Sequence, residues 1–231
     1  MPSLASADFF DNTYNDVASL VQDFEKKYLK RYIDDRTLFA PPDYQLEVKS
    51  FCVFSHAAIE YLLESWAVAY LDHVSDQWIS SREASRALMS LCLYHGKVPD
   101  SHYKESKQNP SIVVVVDACV ANAAVSLRTY IDENNHGITI THLRKMFWPL
   151  GIDLPNDIKF AAALDKLRKT RGKYAHTYDP SDHIAPEIAM VTVTDCVDAI
   201  EDLKYVLNWE CFSEFRSKQR LRLLNLLLKR P

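Results

Sequence analysis

Residues 51–71 read FCVFSHAAIEYLLESWAVAYL, and apolar side chains recur there with the three- and four-residue spacing of an α-helix. The pattern extends over about residues 44–78 and leaves almost no polar face, which is typical of a helix near the centre of a core. His56, Glu60 and Glu64 interrupt the apolar window, so it is not a membrane span. The sequence therefore predicts a long, buried central helix.

Further helices are predicted on both sides of this one. They comprise an N-terminal helix within 1–40, a short one from Ser81 to Gly96, one capped by Thr141, one opened by Asn156 or Asp157, and a long one capped by Thr194 or Asp195. The run IVVVV at 112–116 has the β-branching of a strand, but the residues after it favour a helix, and we favour a helix. Segment 97–110 is polar and contains two prolines, which indicates a loop or lid.

Composition supports an all-α protein. The chain has 231 residues, of which 48% are hydrophobic, a length suited to one large domain spanning 1–231. Its four glycines are too few for the many tight turns of a β-sandwich or barrel. The N-terminus lacks the basic and apolar regions of a signal peptide, so we expect a soluble, cytoplasmic protein that does not enter a membrane.

Common metal, nucleotide and disulfide signatures are absent from the sequence. The formal net charge of −4 gives no overall attraction to nucleic acid, and the five cysteines include no Cys-x-x-Cys pair. We therefore expect no metal site and no cofactor. His56, His95 and His142 are scattered along the chain and are interpreted as structural.

The residues that could take part in catalysis or binding are concentrated in KLRKTRGKYAHTYD, residues 166–179. Five of the eight residues from Lys166 to Lys173 are basic, and His176 follows close to an expected helix end. The helix dipole favours a protonated imidazole there and the neighbouring cations oppose it, so His176 is expected to titrate near neutral pH. Such a set suits cleavage of RNA, in which the 2′-hydroxyl is an internal nucleophile. The alternative is a solvated basic face with a structural histidine.

Gly172 is unexpected inside a helix, because glycine costs about 1 kcal/mol there relative to alanine. Close approach of a ligand or another backbone explains it, and so does fraying near the helix end.

The stretch RGKYAH, residues 171–176, matches the Arg-x4-His motif of HEPN-domain proteins, and the chain resembles their RiboL-PSP-type branch. The other resembling segments are FCVFSHAAIEYLL at 51–63, ITITHLRKMFWPLGIDL at 138–154 and LDKLRKT at 164–170. Together they cover a core of about residues 45–210. The resemblance implies an antiparallel helical bundle with extra helices, a homodimer, and a metal-independent endoribonuclease acting as a toxin or phage-defence effector.

The resemblance also implies roles for individual residues. Arg171 would bind the scissile phosphate and His176 would transfer a proton, which leaves a 2′,3′-cyclic phosphate and a 5′-hydroxyl. Lys169 and Lys173 would hold the RNA backbone. Glu60 would be the acidic residue that faces the motif, unless it is a polar residue at the helix surface.

Three further features bear on the site. Tyr178 extends the motif to Arg-x4-His-x-Tyr, similar to HepT toxins whose tyrosine is modified by an antitoxin, and the alternative is a capping or packing aromatic beside the Asp179-Pro180 turn. Gly172 stands where many members of the family carry a polar residue, which removes one possible helper from the site. A second basic patch at 216–222 either guides RNA or is a solvated helix face.

Three functions follow in order of preference. The first is a HEPN-type endoribonuclease with RNA, a second copy of the chain and an antitoxin or regulatory protein as partners. The second is a catalytically silent helical module that binds RNA or protein. The third is a scaffold in which Arg171 and His176 bridge a dimer interface.

Overall fold

The computed structural model describes residues 7–35, 44–97, 111–176 and 184–228, with the backbone alone for 173–176 and 212–228. Its helices are α1 (Ala7–Tyr28), α2 (Lys30–Asp34), α3 (Gln45–Ser81), α4 (Arg86–His95), α5 (Ile112–Thr129), α6 (Ile140–Phe147), α7 (Ile158–His176) and α8 (Pro186–Leu228). A π-helical turn, Tyr130–Asn134, extends α5, and a 3-10 turn, Trp148–Leu150, follows α6. The described residues contain no strand, and the predicted all-α fold is confirmed.

Helix α3 lies at the centre of the bundle, as its sequence predicts. It contacts α1, α7 and α8 and also packs against α4, α5 and α6. Phe51, Leu63 and Trp66 are completely or almost completely buried, and the Trp66 indole Nε1 donates a hydrogen bond of 2.8 Å to Thr13 Oγ1 on α1. Most of its large side chains are buried, and apolar residues such as Phe54 and Tyr61 also lie on the face that stays exposed, which explains why the sequence shows no polar face.

The N-terminal helix predicted within 1–40 is divided in two. The break falls at Leu29, whose φ of −112° departs from helical geometry and whose side chain is completely buried. Leu29 and Tyr32 of α2 both join the core, so the change of direction lets the second short helix pack inward. Residues 36–43 lie outside the described part of the chain.

Two predicted helix starts are wrong by several residues. Helix α4 is capped by Ser85, whose Oγ accepts a hydrogen bond of 3.1 Å from the Leu88 N–H. Ser81 donates its hydroxyl instead to the Gln77 carbonyl, at 2.8 Å, in the last turn of α3. Helix α8 begins at Pro186 rather than at Thr194 or Asp195, since proline is favoured where an unpaired N–H would otherwise point out of the helix.

The starts of α6 and α7 lie closer to their predicted positions. Thr139, not Thr141, is the N-cap residue of α6. Asp157 precedes α7 as predicted, and its Oδ1 accepts a hydrogen bond of 2.8 Å from the Lys159 N–H.

The β-branched run at 112–116 is helical and forms the start of α5. Within the described residues, Ile112–Asn134 is the one stretch long and apolar enough to cross a membrane by length and composition, and only 17% of that window is buried. The helix nevertheless packs in the bundle through Val120, Ala123 and Leu127, and Asp117 accepts a hydrogen bond of 2.8 Å from the Trp78 indole of α3. All of the predicted loop except Lys97 lies outside the described residues.

Helix α7 packs against α3 and α8 through one stripe of side chains. Phe160, Leu164 and Leu167 form that stripe with spacings of four and three, and each is at most 1% exposed. The next position on the same stripe, four residues further on, is occupied by Arg171. The sequence thus places a cation where the pattern calls for an apolar side chain.

Candidate functional site

Arg171 points along the interior stripe of α7 and is half-buried. Burying a guanidinium is costly unless polar groups receive it. Arg171 forms no ion pair within 4 Å with any acidic side chain that the structure describes. The groups that face it on α3 are therefore the first place to look for a site.

Helix α3 carries three ionisable residues in a row here, of which His56 and Glu60 lie near Arg171 and Glu64 lies near Asn135. His56, Glu60 and Glu64 are spaced four apart, so they lie along one face of the helix. The positive charge of Arg171 lowers the pKa of both His56 and Glu60, which places the guanidinium within electrostatic range of both. We refer to the residues gathered here as the polar cluster: His56, Glu60, Glu64, Asn135, His142 and Arg171.

His56 is the most deeply buried ionisable group of the polar cluster, at 2% exposure. Burial, together with the smaller effects of the charges of Arg171 and His142, lowers its pKa to about 4. Its Nδ1 lies 3.6 Å from Oε2 of Glu60, one helical turn away, but this carboxylate does not offset the cost of burial. His56 is therefore a neutral imidazole at pH 7.

Glu60 has one buried carboxylate oxygen that receives no hydrogen bond from the described residues. Burial and the neighbouring Glu64 raise its pKa, and Arg171 and His136 act in the opposite direction. Its Oε1 is inaccessible to solvent and accepts no hydrogen bond from any donor in the described part of the chain. A carboxylate oxygen in that state is available to a donor brought by α7 or by a ligand.

Asn135 ties the irregular segment after the π-helical turn to α3. It is 5% exposed, and its Nδ2 donates a hydrogen bond of 2.7 Å to Oε1 of Glu64. Burial raises the pKa of Glu64, and this hydrogen bond partly opposes the rise. The bond fixes the segment that leads to His136 and to α6, and thus brings His142 to the polar cluster.

The predicted RNA-binding and catalytic side chains are only partly described. Lys169 is exposed, and its Nζ lies 2.6 Å from Oδ2 of Asp165 on the same helix. Asp165 also pairs with Arg168, and Lys166 pairs with Asp195 of α8. The basic run is therefore partly neutralised by the protein's own carboxylates.

The remaining predicted positions lie beyond the described side chains. Helix α7 carries its backbone through Lys173 to its last residue, His176. The side chains of Lys173 and His176, Tyr178, and the side chains of the patch at 216–222 lie outside the described residues. Their assigned roles stay predictions.

Gly172 meets no neighbour that explains it. Apart from its chain neighbours and the adjacent backbone of its own helix, a Cβ added there would lie more than 4 Å from every described atom of the protein. Close approach of another part of the described bundle is therefore not the reason for this glycine. Approach by a bound ligand and fraying of the last turn both stay open.

Replacing Gly172 by alanine is expected to stabilise the protein. The free energy of unfolding should rise by about 1 kcal/mol, the propensity difference between the two residues in a helix. Denaturation in urea measures the change, and Ala162→Gly, at an exposed position of the same helix, is the reverse control with a loss of similar size. A destabilised Gly172→Ala protein would contradict the open space around this position.

A groove of about 440 Å³ lies between α7 and α8. Asp195, Asp198 and Asp202 of α8 line one wall, opposite Lys159 and Lys166 of α7. Three carboxylates in a row repel a phosphate backbone, so this groove is a poor channel for RNA. Among the described residues, no three His, Cys, Asp or Glu side chains converge in the manner of metal ligands.

The polar cluster contains residues that the sequence analysis did not assign to a site. His56 and His142 were interpreted as structural because nothing in the sequence connects them. Two signals were present, however: ionisable residues spaced by four in an otherwise apolar helix, and an arginine on the interior stripe of α7.

Comparison with known families gives one result. The family model described as RiboL-PSP-HEPN matches residues 12–208, most of the chain. Comparison with curated proteins yields no match, and comparison with solved structures yields none either. The matched range begins within α1 and ends within α8, so it includes the polar cluster and all of α7.

Proposed function

This chain belongs to the RiboL-PSP-HEPN family, and from that premise we propose that it is a metal-independent endoribonuclease with Arg171 and His176 at its centre. Family membership associates the chain with RNA-directed nuclease chemistry. The observation that carries the finer proposal is the position of Arg171, a half-buried cation that pairs with no described carboxylate and faces Glu60 and His56 across the α3–α7 interface.

The reaction proposed for this site needs no cofactor. Arg171 binds the non-bridging oxygens of the scissile phosphate through its fork of donors. The RNA 2′-oxygen attacks phosphorus, the bond to the 5′-oxygen breaks, and His176 assists by transferring a proton. The products are a 2′,3′-cyclic phosphate and a 5′-hydroxyl. Glu60 orients the guanidinium, since its buried Oε1 has no other donor in the described structure.

Substrate binding and assembly belong to the same proposal. Lys169 and Lys173 contact the RNA backbone, so binding weakens as salt rises. Two chains form a homodimer that brings their motifs together, as in other members of the family. We assign the protein to the cytoplasm as a toxin or phage-defence effector, restrained by an antitoxin or regulatory partner, with Tyr178 as the candidate position of modification.

Cleavage of mixed cellular RNA in excess EDTA tests the proposal. The wild-type protein is expected to produce fragments with cyclic phosphate ends, which resist 3′ ligation until the phosphate is removed. RNA that is bound but left intact would favour the silent binding module instead. RNA that is neither bound nor cut, by chain that is folded and assembled, would favour a scaffold.

Arg171→Lys is expected to reduce cleavage at saturating RNA by about 10- to 100-fold, because an ammonium cannot make the paired hydrogen bonds of a guanidinium. Initial rates with a short labelled RNA give the comparison. Arg168→Lys is the matched control, since Arg168 lies one turn earlier, is exposed and already pairs with Asp165. Equal losses in the two variants would assign the effect to guanidinium contacts made anywhere along α7 rather than to the position of Arg171.

A further inference from the structure

His142 is held beside the polar cluster in a defined orientation. Its Nδ1 lies 2.7 Å from Oγ1 of Thr139, and its ring rests on the backbone of Gly137. A Cβ at residue 137 would lie 2.9 Å from Cε1 and 3.0 Å from Nδ1 of the imidazole. A hydroxyl on one side and a glycine beneath therefore fix the ring, and Nδ1 is occupied while Nε2 is left for another partner.

The hydrogen bond to His142 replaces an ordinary helix cap. Thr139 is the N-cap residue of α6, yet its side chain caps no backbone N–H of that helix. An N-cap hydroxyl normally accepts from the second or third N–H and contributes about 1 kcal/mol. At this position the hydroxyl serves the imidazole instead, so the local structure favours the orientation of the ring over the stability of the helix end.

The surroundings of His142 keep it neutral and reachable. It is half-buried, and burial lowers its pKa, with further lowering by Lys145 of α6, Arg168 of α7 and His136 of the preceding segment. On the α3 side it faces His56, which senses its charge and that of Arg171 as well. A neutral imidazole with a fixed ring, set among cations and with no hydrogen bond from Nε2 to any described residue, matches the needs of a proton acceptor near a phosphate.

We propose that His142 is the second proton-transfer group of the site, the base that accepts the 2′-hydroxyl proton while protonated His176 donates to the leaving 5′-oxygen. This rests on the proposed ribonuclease function. The 2′-oxygen forms its bond to phosphorus as its proton passes to Nε2 of His142, and the bond to the 5′-oxygen breaks as that oxygen takes the proton of His176. Cleavage thus moves one proton from His176 to His142 through the substrate, and solvent restores both groups.

Thr139 is the positioning residue for this step. Its hydroxyl sets which nitrogen of His142 faces the substrate, and Gly137 provides the space for the ring.

A pH–rate profile with a short RNA in excess EDTA tests the assignment. The wild-type rate is expected to rise with pH on the acid side as His142 loses its proton. His142→Gln is expected to be about 100-fold slower and to lose that rise, because glutamine keeps the shape and the hydrogen bond to Thr139 without titrating. Thr139→Val is expected to be slower by roughly tenfold, the value of one net hydrogen bond, and Thr139→Ser to restore the rate.

Melting temperatures of all variants separate chemistry from folding, since a structural role would lower stability and leave the shape of the pH profile unchanged. A His142→Gln protein that keeps the wild-type rate and acid limb, beside an active wild type, would overturn the role of His142 alone. A folded wild type with no cleavage, equal to His176→Ala, would overturn the ribonuclease function and this role together.

Discussion

A His176→Ala variant is expected to cleave RNA about a thousandfold more slowly than the wild type, within the range that a general acid or base contributes. The proposal gives His176 a proton-transfer role that no neighbour on α7 takes over, since the other titratable groups near that helix end are lysines, arginines and a tyrosine. The rate is measured in excess EDTA with a single-site RNA substrate, under single-turnover conditions so that product release does not hide the chemical step.

His95→Gln is the control for this experiment. His95 lies on α4, outside the polar cluster, with its Nδ1 3.2 Å from Oγ of Ser126 on α5. This variant should cleave at the wild-type rate. Cleavage by His176→Ala at the wild-type rate would remove the histidine from the mechanism, and loss of cleavage in both variants would indicate a general disturbance of the fold.

The stability of the protein is expected to fall by about 3 kcal/mol between pH 6.5 and pH 4 through His56 alone. Its pKa is about 4 in the folded protein against an ordinary 6.5, so in this window the unfolded chain binds a proton that the folded chain does not. The free energy of unfolding therefore falls as pH decreases, by about 1.4 kcal/mol per unit while only the unfolded state is protonated. Below about pH 4 both states bind the proton and this contribution stops changing.

Urea denaturation at a series of pH values measures this effect as a difference between two proteins. His56→Gln keeps a polar side chain at the position but does not titrate, so its stability should depend on pH less steeply than that of the wild type. The gap between the two slopes, integrated from pH 6.5 to pH 4, is the expected 3 kcal/mol. Parallel curves would show that His56 is already protonated in the folded protein, or that it reaches solvent.

The sequence predicts helices well and their mutual arrangement poorly, for a physical reason. Apolar periodicity depends only on which face of a helix is buried, so α3 is predicted within a few residues at both ends. Which buried faces meet depends on packing between elements distant in the chain. The approach of His142 to His56 therefore has no local signal, and neither residue could be assigned to a site from spacing alone.

Helix starts show a second limit. Serine and threonine near a helix end have several backbone partners available, and only one of them makes a cap. Ser81 bonds back to Gln77 within α3 and does not cap α4, and Thr139, the N-cap residue of α6 in place of the predicted Thr141, bonds to His142, so the presence of a hydroxyl did not identify the start of either helix. Asp157 was one of the two residues predicted to open α7, and it accepts a hydrogen bond from the Lys159 N–H; its carboxylate also suits the helix dipole.

Arg171 and Glu60 could be predicted from the sequence only in part. The motif identified the arginine and the resemblance suggested the glutamate, but their proximity follows from the contact between α3 and α7.

The interior stripe of α7 bears on whether the polar cluster is retained during evolution. Phe160, Leu164 and Leu167 contribute to the core, and leucine at 171 would extend the same row. Replacing buried ionic groups by well-packed apolar ones is often neutral or stabilising. Selection for stability alone would therefore favour apolar side chains at the positions of Arg171, Glu60 and His56. The bundle thus keeps polar groups along this seam at a cost in stability, and substitutions there that make the fold more stable would also remove the polar cluster.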